Sequence, residues 1–157
     1  GASGVNFGTY NLQQTIIQSG IRFGQYTDIS GDGLRLVTSD SAAGRTYLYT
    51  RSSTSNNFTL DTTFTDSSCV GGRVAISELE PTPGGSLGVA DVTIVMQHQA
   101  SDGTSTGVTK VFRKSRASGN FIEVATLTAN SSTAFADFDV GADGNQIVID
   151  QTSTAVC

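Results

Sequence analysis

Short runs in which apolar and polar residues alternate recur along the chain: "LRLVT" at Leu34, "TYLYT" at Thr46, "VTIVM" at Val92 and "NQIVI" at Asn145. A period of two sends successive side chains to opposite faces of a strand, so each run predicts a β-strand of about four to eight residues. Clusters of Gly, Ser, Asn and Asp separate them and read as turns. Nearly all regular structure is therefore expected to be β, in antiparallel strands. The expected core is Leu36, Leu48, Phe58, Phe64, Ile94, Phe112, Phe121, Phe138 and Ile147.

The alternating runs belong to a longer repeat. "TYLYTRSSTSNNFTLDTTFTDSS" (Thr46 to Ser68) matches "TKVFRKSRASGNFIEVATLTANSS" (Thr109 to Ser132). Each reads as strand, polar turn ending in Asn-Phe, strand, and Ser-rich exit. Phe58 falls opposite Phe121, Phe64 opposite Leu127, and Asn57 opposite Asn120. "YNLQQTIIQSG" fits the second half of this pattern, with Tyr10 at the Phe58 place and Ile16 at the Phe64 place. A second half-repeat joins "FGQYTDISGDGLRLVTSD" (Phe23 to Asp40) to "FADFDVGADGNQIVID" (Phe135 to Asp150), each a strand, an Asp-Gly turn and a strand. Gly71 to Gln99 fits the same slot with a longer turn.

The unit is thus four short strands, of the size found in propeller blades. Units at about 21–68 and 71–132 are whole. A third, 135–157, is a half unit that residues 1–20 would complete. The expectation is one β domain over 1–157, with four-stranded antiparallel blade-like sheets and a split unit shared between the termini. Typical propellers have about four to eight blades. Three units therefore imply a propeller-like arrangement, a compact β prism or sandwich, or completion of the split unit by another chain.

Composition narrows the setting. Charged residues are 15% of the 157, the net charge is −5, and Gly, Ser and Thr abound. That balance suits an extracellular β protein hydrated by hydroxyls. The one basic cluster, "KVFRKSR" from Lys110 to Arg116, alternates with Val111 and Phe112 as a solvated strand face does, so no nucleic-acid partner is expected. No apolar run approaches the ~18 residues of a membrane span. The opening "GASGVNFG" has no basic start or apolar core and reads as the processed form of a secreted chain. Asn57 in "NFT" and Asn130 in "NSS" are candidate glycan acceptors. Cys69 and Cys157 are a candidate disulfide, within the chain or between neighbours.

"DISGDGLRLVTSDSAAGRTYLYTRSSTSNNFTL" (Asp28 to Leu60) resembles the FG-GAP-type repeats of integrin-like β-propellers, with Tyr47, Tyr49, Thr50 and Arg51 at the second signature. The resemblance is good over Phe23 to Leu60 and fair over Phe135 to Asp150. It implies extracellular adhesion or recognition, and a calcium loop at Asp28, Ser30 and Asp32. The loop departs from the family pattern where Leu36 replaces a further Asp. In the third unit Asp139, Gly141 and Asp143 precede Gly144, and Ile147 stands at the equivalent place. Calcium takes six to eight oxygens, more than either loop supplies by itself. The other reading is structural: Asp-Gly makes a tight turn, with Gly at positive φ and the preceding Asp or Ser capping amides.

No residue pattern announces a reaction. His98 in "VTIVMQHQ" lacks metal-ligand companions and a nucleophile context. Glu78 with Glu80, and Asp137 with Asp139, are spaced as surface carboxylates beside turns. Neither an enzyme nor a cofactor other than calcium is expected. The expected function is a secreted structural protein, the protomer of a fibril or surface assembly joined to other copies by strand complementation. The alternative is a monomeric adhesion or carbohydrate-recognition domain that binds cell-surface glycans or proteins.

Overall fold

In a computed structural model, the structure describes residues 12–19, 22–65, 71–77, 92–99, 105–114, 120–128, 133–142 and 144–153. The described residues form β-strands and turns, with no helix among them. β1 (Phe23–Ile29), β2 (Arg35–Asp40), β3 (Arg45–Thr50) and β4 (Thr59–Phe64) make one four-stranded sheet in that order. β5 (Gly71–Ile76), β6 (Thr93–Gln99), β7 (Ser105–Lys114) and β8 (Phe121–Thr128) make a second, and β9 (Thr133–Val140) pairs with β10 (Ile147–Ser153) in a third. Every pairing is antiparallel between consecutive strands.

The sheets stack in chain order, and the second lies between the other two. One core cluster joins Val37 and Leu48 of the first sheet to Ile76, Ile94 and Met96 of the second, with Val92 just ahead of β6. Phe64, Val74, Phe112 and Phe121 pack around it. A separate cluster joins Ala75, Val95 and Val111 on the other face of the second sheet to Phe138 and Val140 of the third. β6 is therefore buried on both faces, which accounts for the unbroken apolar run Ile94-Val95-Met96.

The repeat extends to irregularities of the ladder. In the first sheet the β3–β4 register shifts between Leu48 and Tyr49, leaving Asp61 as the extra residue. In the second, β7–β8 shifts between Val111 and Phe112, leaving Val124. The two bulges fall at equivalent places of the repeat. A cation also lies over an aromatic ring in each: Arg51 Cζ is 4.4 Å from the Phe58 centroid, and Lys114 Nζ is 5.4 Å from that of Phe121.

Two expected core residues lie elsewhere. Leu36 is half-buried, because Val37 is the β2 residue that faces the second sheet and Leu36 points the opposite way. Phe58 is half-buried beneath the Arg51 guanidinium at the start of the β4 hairpin arm. Leu48, Ile94 and Phe138 are buried, and Phe64, Phe112, Phe121 and Ile147 flank the two clusters.

Of the stretch 1–20 expected to complete the split unit, residues 12–19 are described. Residues 12–19 lie against the first sheet, and β10 pairs only with β9 among the described residues. The Gln14 side-chain amide acts as a strand would, donating to Phe58 O at 3.0 Å and accepting from Phe58 N at 2.7 Å. Gln18 Nε2 donates to the Tyr49 hydroxyl at 2.9 Å, and Gln13 Nε2 to Thr54 O at 3.1 Å. Gln14, Ile16 and Gln18 are half-buried while their neighbours are exposed, the alternation of an extended chain.

Candidate functional site

The two Asp-Gly loops share one geometry. Gly33 donates to Ser30 O at 2.7 Å and Gly144 to Gly141 O at 2.8 Å, with φ of +68° and +70°. Ser30 N donates to Arg35 O, and Gly141 N to Gln146 O, closing each turn against its outgoing strand. Positive φ costs a Cβ-bearing residue about 1–2 kcal/mol, so Gly occupies both corners.

Within the first loop, the candidate calcium oxygens are engaged by donors of the chain itself. Asp32 Oδ1 accepts from Ser30 Oγ at 2.6 Å and from Leu34 N at 2.9 Å, while Oδ2 faces Arg35 Nη1 at 3.0 Å. Burial raises the Asp32 pKa, but these hydrogen bonds and the Arg35 charge outweigh it, and the carboxyl titrates below its ordinary value. Asp28 Oδ1 accepts from Ile29 N at 2.8 Å and Oδ2 from Ile76 N at 2.9 Å. Ser30 Oγ also accepts from Arg35 N at 3.0 Å. The Arg35 guanidinium is thus the charge partner of the Asp32 carboxylate. No group of three or more acidic, His or Cys residues among the described residues converges as a metal site does.

The basic cluster is likewise occupied by neighbours. Lys110 Nζ is 3.0 Å from Glu123 Oε2, and Lys114 Nζ is 3.4 Å from Asp61 Oδ2 across the first and second sheets. Arg113 Nη2 donates to Gly144 O at 2.7 Å and Asn145 Oδ1 at 3.1 Å, pinning the third sheet's turn to the second sheet.

One row of side chains crosses all three sheets at equivalent places of β1, β5 and β9. The Arg73 guanidinium lies 5.5 Å from the Tyr26 ring centroid, and its Nη1 is 2.8 Å from Asp137 Oδ1. Asp137 and Asp139 are exposed and two residues apart on β9. Asp139 Oδ1 accepts from Val140 N at 2.8 Å, repeating the local bond of Asp28 to Ile29 N. With Phe138 and Val148 these carboxylates line a shallow hollow of about 350 Å³ at the outer end of the stack.

Asn57 is exposed in the β3–β4 connection, where a glycan has room to project. His98 pairs with Gly71 in the β5–β6 ladder. Asn130, Cys69, Cys157, Glu78 and Glu80 lie outside the described residues, as does Asp143. Among the described residues no helix is long and apolar enough to cross a membrane.

The residue that the sequence reading passed over is Val148. It pairs with Asp139 as Val37 pairs with Asp28, yet Val37 is 0% exposed and Val148 70%. Its signal was present in the repeat, in the match of "LRLVTSD" to "NQIVID". No protein-family model, curated protein or solved structure matches the chain.

Proposed function

We propose that this chain is a secreted structural protein whose copies join into an extracellular fibril or surface assembly. The observation that carries this reading is the contrast between Val37 and Val148. The repeat places both on the same face of equivalent strands, and a neighbouring sheet covers only the first. An exposed β-branched residue on a strand face, beside a β10 edge with no described partner, is a surface suited to a further sheet. Low charge, a hydroxyl-rich surface and the resemblance to FG-GAP-type repeats support an extracellular setting. Glycans on Asn57 and Asn130, and a disulfide from Cys157 to Cys69 of a neighbour, fit the same setting.

The hollow beside Asp137, Asp139 and Val148 favours a second reading, glycan recognition by a monomeric adhesion domain. Light scattering during gel filtration at rising concentration under oxidising conditions, followed by negative-stain microscopy, separates the two. Concentration-dependent polymers are expected. A protein that stays monomeric at high concentration refutes the assembly reading.

A further inference from the structure

We infer that the β9–β10 sheet of one copy docks on the β1–β2 half of the first sheet of a second copy, seating Val148 against Ile29 and Leu36. This rests on the self-assembly reading and names the surface that assembly uses.

The junction already made within the chain supplies the template. Where the first sheet meets the second, Val37 packs in one cluster with Ile76 and Ile94, which lie opposite each other in the β5–β6 ladder. At the equivalent place in the β1–β2 ladder, Ile29 lies opposite Leu36. Ile29 and Leu36 therefore stand to Val148 as Ile76 and Ile94 stand to Val37. Adjacent positions on a strand face opposite ways. Asp28 reaches the second sheet through Ile76 N, so Ile29 is directed to the outer side, where it is 45% exposed.

The shapes also agree. The β3 part of that outer face is already covered: Tyr47 and Tyr49 are buried, and Gln18 of the 12–19 segment bonds the Tyr49 hydroxyl. Among the described residues, the part nearest Ile29 remains open, with Ile29 45% exposed. A pair of strands spans about 10 Å at ordinary strand spacing, which matches the two-strand width of β1–β2. The third sheet has two strands among the described residues, where its predecessors have four. In this stack the second copy's 12–19 segment lies beyond β10, level with the sheet that the two copies build together.

Because the two surfaces differ, the contact is heterologous, and each copy retains a free surface after the first union. That property gives the test. Val148→Lys spoils one surface and Ile29→Lys the other, and both side chains are exposed enough for the fold to tolerate the change. Circular dichroism and thermal melting verify the fold, and Val148→Ser and Ile29→Ser serve as milder variants. Sedimentation velocity is run at a concentration where the wild type associates. Each lysine variant alone is expected to remain monomeric, with association weakened at least about tenfold. An equimolar mixture of the two is expected to give dimers and nothing larger, since each contributes its one intact surface. If Ile29→Lys associates as the wild type does, the junction lies elsewhere and this inference fails while self-assembly stands. If the mixture stays monomeric although the wild type polymerises, the inference fails in the same way. A monomeric wild type overturns both.

Discussion

The Asp28 carboxylate joins two sheets through a backbone amide: Oδ2 accepts from Ile76 N at 2.9 Å while Oδ1 holds Ile29 N at 2.8 Å. The local bond orients the side chain, and the long-range bond satisfies an amide at the edge of β5. Such an amide, left without a partner at a packed junction, costs about 1–3 kcal/mol. Asp28→Ala is expected to lower unfolding free energy by that amount in urea titration. Asp28→Asn, which keeps one oxygen acceptor, is expected to lose less. Equal losses in the two variants would show that Ile76 N does not depend on this side chain.

Gly144 and Gly33 share a backbone conformation but differ in what surrounds them. A Cβ on Gly144 would stand 2.4 Å from Thr93 Oγ1 and 3.0 Å from Thr93 Cβ, whereas on Gly33 the nearest atom is Arg51 Nη2 at 3.4 Å. Gly33→Ala is expected to cost about 1–2 kcal/mol, the strain of positive φ alone. Gly144→Ala adds overpacking against β6, about 1–3 kcal/mol more. Calorimetric melting of the pair checks the ranking, and a reversed order contradicts it.

The acid response should carry the signature of Asp32. Its folded pKa lies below the ordinary 3.8, so the folded state binds this proton less readily than the unfolded chain. The stability it contributes is fully present above that ordinary value and is lost as pH falls through the lower, folded value. Asp32→Asn is therefore expected to flatten the decline of stability below about pH 4. Denaturant midpoints measured from neutral pH downward test this. Parallel wild-type and variant curves would assign the acid sensitivity to other carboxyls.

Val37 and Val148 give the sharpest contrast within one repeat. Val37→Ala empties a site at the centre of the first junction and is expected to cost about 1.5–3 kcal/mol. Val148→Ala on the folded monomer is expected to change stability by no more than about 0.5 kcal/mol. Urea unfolding at a dilution where no assembly forms makes the comparison. A large loss at Val148 under those conditions would place it inside a core.

The strands, their antiparallel order and the four-strand unit were all legible in the chain, because they rest on local causes. Alternation in "TYLYT" and "NQIVI", Gly at the Asp-Gly corners and the matched Asn-Phe turns each act over a few residues. The two bulges, at Asp61 and Val124, fall at equivalent places of the repeat although the residues around them differ. What the sequence left open depends on which surfaces meet. "LRLVT" presents two apolar neighbours on opposite faces, and nothing local says whether Leu36 or Val37 points to the next sheet. Phe58 and Phe121 each follow an Asn at matched places of the repeat. Both are half-buried beneath a cation, but Phe121 also packs against Phe64, its ring centroid 5.4 Å away, and against the core cluster. Val148 is exposed where Val37 is buried for the same reason. Burial belongs to whatever packs over a strand face, and that is decided by the stacking of sheets distant in sequence.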